Sequence, residues 1–202
     1  MTDARFPEDP EALLNEIWRR LEAGVASASH AFHTAALATA DGGGPDARTV
    51  VLRRAEPGLR RICCHTDLRS RKVEQLGRQS AAAWIFYDPE ERVQLRARGP
   101  VTLHADDDLA QAQWEASQPG SRRCYLSAGG PGSALDAPGS GLPESLLDRR
   151  PSEAESAPGR VHFAVLACEL TELDWLALDS RGHRRARFRW DDGAWQHAWI
   201  TP

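Results

Sequence analysis

Residues 47–72 read ARTVVLRRAEPGLRRICCHTDLRSRK and contain two runs rich in β-branched and apolar residues. Residues 47–54 predict one strand and residues 59–66 a second, because such residues fit a pleated, half-buried surface. The Pro-Gly pair between the runs suits the central positions of a type II turn. The stretch therefore predicts an antiparallel meander followed by a short helix that begins near residue 70.

The start of that helix carries several groups that bind anions. Ser70, Arg71 and Lys72 are consecutive, Lys72 is the only lysine of the chain, and the first strand of the meander supplies Arg48. We expect the Ser70 hydroxyl to cap the first helical turn. Unpaired backbone N–H groups and the helix dipole favour negative charge at this end. The pattern predicts a phosphate site, with a solvated basic helix start as the alternative.

The chain around this stretch predicts a mainly β, antiparallel fold. Apolar residues at helical spacing predict an amphipathic helix over residues 10–26, and an acidic cluster at residues 106–108 starts another helix. Further strands are predicted at residues 32–40, at 81–87, at 92–104 with a bulge or edge position at Gly99-Pro100, and at several places after residue 160. Seven or more strands with two or three flanking helices favour a barrel or a sandwich.

We expect residues 1–202 to form a single domain, since domains commonly have about 100–200 residues. Proline, glycine, serine and alanine dominate residues 118–160. Loops of that length are usually either functional or disordered. We therefore predict a long loop at about residues 125–158 and disorder over about residues 132–158.

Composition limits the classes of protein that the chain can belong to. Hydrophobic residues make up 41% of the 202 residues, which is enough for a core, and the net charge of −4 argues against general affinity for nucleic acid. The arginine pairs leave a nucleic-acid surface as a weak alternative. No apolar run predicts a membrane-spanning helix, and residues 1–14 lack the apolar stretch of a secretory signal. We expect a cytoplasmic protein with no membrane partner, reduced cysteines and no metal site, because no C-x-x-C pair is present.

Three motifs in order resemble the pyridoxamine 5′-phosphate oxidase-like family of FMN-binding split β-barrels. They are the strand from Arg48 to Leu52, the run His65-Thr66-Asp67-Leu68-Arg69-Ser70-Arg71-Lys72, and Glu91-Arg92-Val93-Gln94 followed by Gly99. Arg187-Phe188-Arg189-Trp190 is similar to the closing strands of the family. The resemblance covers about residues 30–117 and 160–202 and implies an antiparallel split β-barrel with flanking helices.

The resemblance also implies a cofactor and residues that bind it. Members bind FMN in two sites across a twofold interface, which implies a homodimer. The positions implied to bind FMN are Arg48, Thr49, Val50, Val51, His65, Thr66, Ser70, Arg71, Lys72, Gln94 and, from the partner subunit, Arg187. His65 replaces a residue that is often aromatic in relatives, and either it contacts the flavin or it is a strand-end side chain satisfied by backbone.

The implied substrate positions depart from the family pattern. Arg53 stands where true pyridoxamine-phosphate oxidases have lysine, which keeps the charge but not the shape of the side chain. The family's tyrosine, arginine and serine fall near Trp114, Gln118 and Ser121 or Arg122. The late Arg-x-His pair corresponds to His183 and Arg185 in exchanged order. These departures call oxidation of vitamin B6 into question but leave FMN binding unaffected.

The resemblance favours an FMN-dependent oxidoreductase in which the flavin accepts a hydride from an amine or alcohol carbon. No protein nucleophile or acid–base pair is then required, and no catalytic residue is assigned. Two alternatives stay open. One is a flavin reductase that uses NAD(P)H, and the other is a non-catalytic module that binds or stores FMN.

Overall fold

The computed structural model describes residues 6–202. Residues 1–5, which belong to the stretch 1–14 where the sequence predicts no secretory signal, lie outside the described residues. Its nine strands are β1 (Thr34–Asp41), β2 (Gly44–Glu56), β3 (Arg61–Asp67), β4 (Ala81–Asp88), β5 (Val93–His104), β6 (Phe163–Glu169), β7 (Glu172–Ala177), β8 (Arg184–Asp191) and β9 (Ala194–Ile200). Its helices are α1 (Pro10–Ala26), α2 (Arg71–Arg78), α3 (Asp108–Ala116), α4 (Pro119–Arg122) and α5 (Glu153–Ser156), with 3₁₀ turns at Ala31–His33, Pro57–Leu59, Arg123–Leu126, Glu144–Leu146 and Ala157–His162.

The strands form one antiparallel sheet that closes on itself. The order is β4-β1-β2-β3-β6-β5-β7-β8-β9, and a further pairing of β4 with β5 closes the first six strands into a barrel. Strands β7, β8 and β9 extend the sheet beyond the barrel. The mainly β fold with a split barrel and flanking helices is therefore confirmed.

The split lies at Gly99 in β5. Residues 93–98 of β5 pair with β7, and residues 101–104 pair with β6 instead. At the change of partner, a Cβ atom on Gly99 would overlap the backbone carbonyl of Glu169. Only glycine permits so close an approach of two backbones, and this explains the interruption that the sequence shows at Gly99-Pro100.

Two apolar layers hold the barrel and its helices together. The barrel interior is filled from every strand of the barrel and is closed at one end by α1, whose Leu13, Ile17 and Leu21 are fully buried. A smaller cluster lies between α3 and the outer side of β3 and β6, and its members are Cys63, Trp114, Tyr125, Phe163, Val165 and Ala167. Helix α3 is thereby fixed beside the outer surface of the meander.

Three local expectations differ from the structure. Pro57–Leu59 forms a 3₁₀ turn with Arg60 left-handed at φ 50°, rather than a type II turn. The apolar run at residues 81–87 is typical of a fully buried strand, but the strand is buried on one face only, with alternate side chains exposed. In the long loop, residues 144–162 form short helical segments that pack onto the domain, because Leu146 and Ser156 are buried and Arg122 pairs with Glu153.

No helix within residues 6–202 is long and apolar enough to cross a membrane. Over the same residues, histidine, cysteine, aspartate and glutamate side chains form no group of three or more that could hold a metal ion.

Candidate functional site

A cavity of about 300 Å³ lies between the outer side of β2 and β3 and the segment that follows α3. Its volume is at the lower end of the range typical of small-molecule sites. The lining residues are Arg48, Thr49, Val50, Val51, Arg53, His65, Thr66, Asp67, Lys72, Ser117, Ser121, Cys124, Tyr125 and Pro131. The structure therefore brings most of the residues implied for the cofactor, from two separate motifs, to one place.

Arg48 is held by a polar network that joins three elements. Its guanidinium donates to the Thr39 hydroxyl at 2.6 Å and to the Gln75 carbonyl oxygen at 3.1 Å. The Asp46 carboxylate lies 2.7 Å away. Gln75 is fully buried, accepts a second hydrogen bond from Thr39 at 2.6 Å, and donates to Asp46 at 3.3 Å. A buried amide whose oxygen and nitrogen are both hydrogen-bonded fixes the geometry of its partners.

The start of α2 approaches Arg48 from the other side. The Lys72 ammonium donates to the hydroxyls of Thr66 and Ser70, both at 3.1 Å, and burial lowers the pKa of Lys72. The Ser70 hydroxyl makes no capping bond to the backbone, which corrects the expectation of a side-chain cap. Arg71 is exposed and, within residues 6–202, has no hydrogen bond or ion pair.

His65 lies on the wall of the cavity as a neutral imidazole. Burial lowers its pKa to about 4, and this outweighs the opposite effect of a 3.2 Å hydrogen bond with Gln113 of α3. Its ring also contacts the edge of Phe163 with 4.8 Å between centroids. At neutral pH the side chain adds a polar, uncharged surface to the wall.

The other end of the cavity is lined by Arg53 and by uncharged polar groups of residues 117–125. Tyr125 is buried, and burial raises the pKa of its phenol. Pro131, from the long loop, also lines the cavity. That loop is attached through Arg69, which pairs with Asp67 at 2.7 Å and donates to the backbone oxygen of Ser127 at 2.9 Å.

Seven residues implied by the resemblance do not line this cavity within one chain. Two of them, Ser70 and Arg71, lie at the start of α2 beside it, and the other five lie elsewhere: Gln94, Trp114, His183, Arg185 and Arg187. Gln94 lies on β5 opposite Tyr87 and Leu176, and Arg187 lies on β8 opposite Asp174. Trp114 is buried against Phe163 and Tyr125, with ring centroids 5.3 and 6.0 Å apart. The His183 ring accepts from the backbone of Asp179 in the β7–β8 turn, and Arg185 pairs with Asp174 at 2.7 Å. Their roles at the site stay predictions.

Sequence reasoning missed Gln75, Thr39 and Tyr125. Gln75 stands three residues after Lys72, a spacing that places both on one side of a helix. That spacing is common, and nothing in it shows that the amide is buried against Arg48. Tyr125 lies in the glycine- and proline-rich stretch, where no periodic pattern predicts packing.

Comparisons with known proteins agree with this geometry. A family model described as the FMN-binding domain of pyridoxamine 5′-phosphate oxidase matches residues 15–105, which include the Arg48 strand and the start of α2. Pyridoxine/pyridoxamine 5′-phosphate oxidase from Saccharopolyspora erythraea is 31% identical over 178 residues, which are 86% of this chain and 78% of the relative. Pyridoxine/pyridoxamine 5′-phosphate oxidase 2 from Arabidopsis thaliana is 34% identical over 120 residues, 54% of this chain and 61% of the relative.

Solved structures show the same fold over the whole described chain. A pyridoxamine 5′-phosphate oxidase-related, FMN-binding protein from Nostoc punctiforme has a TM-score of 0.73 at 26% identity, with 93% of this chain and 96% of that chain covered. PhzG from Burkholderia lata 383, in complex with tetrahydrophenazine-1-carboxylic acid, has a TM-score of 0.72 at 19% identity, with 100% and 98% covered. The second likeness concerns the fold alone.

The fold and the matched domain define the class of this protein as an FMN-binding split barrel. The match to the Saccharopolyspora relative identifies the family as well. The chain belongs to the pyridoxine/pyridoxamine 5′-phosphate oxidase family, and its cofactor is FMN.

The low pKa of His65 makes stability depend on pH. Between pH 6.5 and pH 4 the unfolded chain takes up a proton at this residue that the folded chain does not, so the free energy of unfolding falls as pH decreases. Urea unfolding at pH 7.5, 6.0 and 5.0 measures this change. From pH 7.5 to pH 5.0 we expect the free energy of unfolding to fall by roughly 1–2 kcal/mol more in the native chain than in a His65→Gln variant.

His197→Gln on the exposed edge strand β9 is the matched control, and its pH dependence should follow that of the native chain. Parallel curves for the native chain and the His65→Gln variant would contradict the burial of a neutral imidazole.

Proposed function

We propose that the chain is an FMN-dependent oxidoreductase whose cofactor lies in the cavity between β2, β3 and the segment after α3. The observation that carries the proposal is the meeting of Arg48 and Lys72, from separate motifs, at one end of a cavity beside the first turn of an eight-residue helix. A phosphate ester needs such an arrangement, because charge-assisted hydrogen bonds and free backbone N–H groups all stabilise the dianion.

The residues present fit the phosphate of FMN. Within the described residues Arg71 makes no hydrogen bond or ion pair, although its charge acts on Asp46, and Lys72 donates only to the neutral hydroxyls of Thr66 and Ser70. Arg48 is oriented by Gln75 and Thr39, so its guanidinium has little freedom left to lose when it binds an anion. We assign Arg48, Ser70, Arg71 and Lys72 to the phosphate, with Thr66 beside them.

The wall of the cavity suits the flat ring of the flavin. Thr49, Val50 and Val51 present a β-strand along it, and His65 adds a neutral polar edge. When bound, FMN supplies an acceptor for a hydride from a substrate carbon. The protein's own residues then bind, orient and exclude water, and we assign no side chain as a proton donor or acceptor.

We further propose a homodimer in which each copy completes the site of the other. The outward side chains of β4 are all apolar and exposed: Ala81, Ala83, Ile85 and Tyr87. Ile85 lies opposite Ala36, and Ala36 lies opposite Thr49 of the cavity wall, so this apolar outer face continues into the cavity. A cavity of about 430 Å³ at the split opens on the same face.

The position of two further residues supports the same assembly. Gln94 pairs with Tyr87, and Arg187 lies two strands further along the sheet on the same outer side. Neither reaches the cavity of its own chain. Gln94 borders the apolar outer face at Tyr87, whereas Arg187 lies beyond Arg96 and Asp174 on the same outer side of the sheet. A second copy bound there would receive these side chains at its own cavity, and we assign Gln94 and Arg187 to FMN across the interface.

We also assign the protein to the cytoplasm. The cysteines of the described chain, Cys63, Cys64, Cys124 and Cys168, are free thiols. Burial raises the pKa of Cys64 to about 12, which keeps that thiol protonated and unreactive. Unpaired thiols of this kind are typical of reducing compartments.

Removing two cations at the start of α2 tests the cofactor site. We expect Arg71→Ala with Lys72→Ala to weaken FMN binding by about a hundredfold or more, because each charge-assisted bond contributes about 1.5–3 kcal/mol. Riboflavin, which lacks the phosphate, should bind native and variant chains with similar affinity. Fluorescence titration of the apoprotein with both flavins measures this difference.

Gln75→Leu extends the test to the residue that orients Arg48, and we expect it to lower affinity for FMN but not for riboflavin. Arg78→Ala is the matched control, since Arg78 is an exposed cation in the last turn of the same helix. Equal losses for FMN and riboflavin would show that these variants disturb the fold rather than the phosphate site.

Anaerobic reduction tests the oxidoreductase assignment. The FMN-loaded protein is mixed without oxygen with pyridoxamine 5′-phosphate and, separately, with NADPH, and flavin absorbance near 450 nm is followed. We expect an amine or alcohol substrate to bleach the flavin and dioxygen to restore it. Bleaching by NADPH alone would favour a flavin reductase. A fully loaded protein that no donor reduces would favour a non-catalytic FMN-binding module.

A charge on the apolar outer face tests the dimer. We expect the native chain to have twice the mass of one chain by light scattering, and Ile85→Glu to be monomeric and to bind FMN more weakly. Val161→Glu, at an exposed apolar residue outside this face, is the control. A monomeric native chain that binds FMN with full affinity would overturn the shared site.

A further inference from the structure

The cavity extends beyond the groups assigned to the phosphate of FMN, and Arg53 lines that remaining end. Arg53 lies on the same side of β2 as Thr49 and Val51. Its positive charge acts on His65, Cys124 and Tyr125, which line the same end. Within residues 6–202 its guanidinium has no hydrogen bond and no ion pair. A half-buried cation without a partner indicates a group that binds an anion.

No second cation is free to join Arg53 at this end of the cavity. Arg122 is turned inward, where it lies over the Trp114 ring at 4.7 Å and donates to the backbone oxygens of Trp114 and Glu115, both at 3.2 Å. Arg123 donates to backbone oxygens of the long loop, including that of Arg149 at 3.2 Å. The contacts of Arg122 and Arg123 hold residues 144–162 against α3 and α4, so neither side chain is available to bind an anion in the cavity.

The remaining polar groups of this end are uncharged. Ser117, Ser121 and Tyr125 offer hydroxyl groups, and the Cys124 thiol has its pKa raised by burial. His65 carries no charge at neutral pH. Asp67, the acidic group of the lining, is balanced by Arg69 at 2.7 Å. The fixed charge available to a substrate is therefore the single guanidinium of Arg53.

One guanidinium matches one carboxylate. Its planar fork donates two parallel hydrogen bonds to the two oxygens, and the charges cancel. A phosphate monoester carries a charge of about −1.5 to −2 at neutral pH, so one arginine would leave part of that charge desolvated and uncompensated. The hydroxyls around Arg53 can donate to a carboxylate but supply no further charge.

We propose that the substrate of this site carries a single carboxylate, which Arg53 binds through both of its oxygens, rather than a second phosphate. The proposal rests on the proposed function, because it places FMN at the Arg48 and Lys72 end. It concerns the class of the substrate.

Binding of matched aromatic probes to the FMN-loaded protein tests the proposal. Pyridine-3-carboxylate is the monoanion, pyridine-3-carboxamide is its neutral isostere, and pyridoxamine 5′-phosphate is the dianion. Calorimetry and the shift in flavin absorbance report binding. In the native protein we expect the carboxylate to bind at least about tenfold more tightly than the carboxamide, and more tightly than the phosphate.

Arg53→Gln should reduce the ratio of carboxylate to carboxamide affinity to about one and leave FMN content unchanged. Arg54→Gln is the control, because Arg54 is the neighbouring cation on β2 and pairs with Glu56 at 2.6 Å. In that variant the ratio should stay as in the native protein.

Three results would overturn the proposal. They are tighter binding of pyridoxamine 5′-phosphate than of the carboxylate, a ratio that Arg53→Gln does not change, and failure of the carboxylate to bind. Each of these results can occur in a protein that is fully loaded with FMN. The carboxylate proposal can therefore fail while the proposed function still holds. A chain that binds no FMN would refute the proposed function itself, and calorimetry on that chain still measures the Arg53 ratio.

Discussion

Strand β5 pairs with three neighbours, and it can do so because Gly99 has no side chain. Along one edge it pairs with β4, and along the other it pairs first with β7 and then with β6. The change of partner brings the backbone of Glu169 against Gly99. Two sheets that would otherwise be separate thereby share a strand, so that β7, β8 and β9 continue the surface of the barrel.

The shared strand has a consequence for the site. Because β5 joins β4 to β7, the outer side of the sheet runs without interruption from the cavity wall on β2 through β1 and β4 to β8. Thr49, Ile85, Gln94 and Arg187 therefore belong to one surface, although they come from four strands. In the proposed homodimer this surface is what a second copy covers, and the residues that do not reach their own cavity are those at its far end.

Most of the secondary structure that decides the fold could be predicted from the sequence, because strands and amphipathic helices have local periodic patterns. The meander, α1 and the helix after Ser70 all lie where the pattern predicts them. At Gly99 and Pro100 the strand changes partner but keeps its register with β4, so the predicted bulge is absent there. The sequence does not predict which groups form hydrogen bonds with individual hydroxyls. Ser70 precedes the helix as a capping residue does, but Lys72 and Thr66 take its hydroxyl, and no local pattern shows that competition.

The sequence predicts the charged residues of the site but not the residues that orient them. Arg48, Arg71 and Lys72 are conspicuous by charge and spacing, whereas the amide that joins Arg48 to α2 is a glutamine in a polar helix. Its role depends on complete burial beside Thr39, and β1 brings Thr39 there from 36 residues away in the chain. Tertiary contacts of that kind have no signature within a window of sequence.

The charge of the site is set by which arginines lack a carboxylate. Arg54 is paired with Glu56, Arg69 with Asp67, and both pairs lie within a few residues of the cavity. Arg53 and Arg71, which stand next to or near them in the chain, make no hydrogen bond or ion pair among residues 6–202. They lie at the two ends of the assigned region, one beside the helix start and one beyond His65. A chain with a net charge of −4 thus holds a positive site because acidic residues pair with the neighbouring arginines, Asp46 with Arg48 among them, and leave Arg53 and Arg71 without an ion pair.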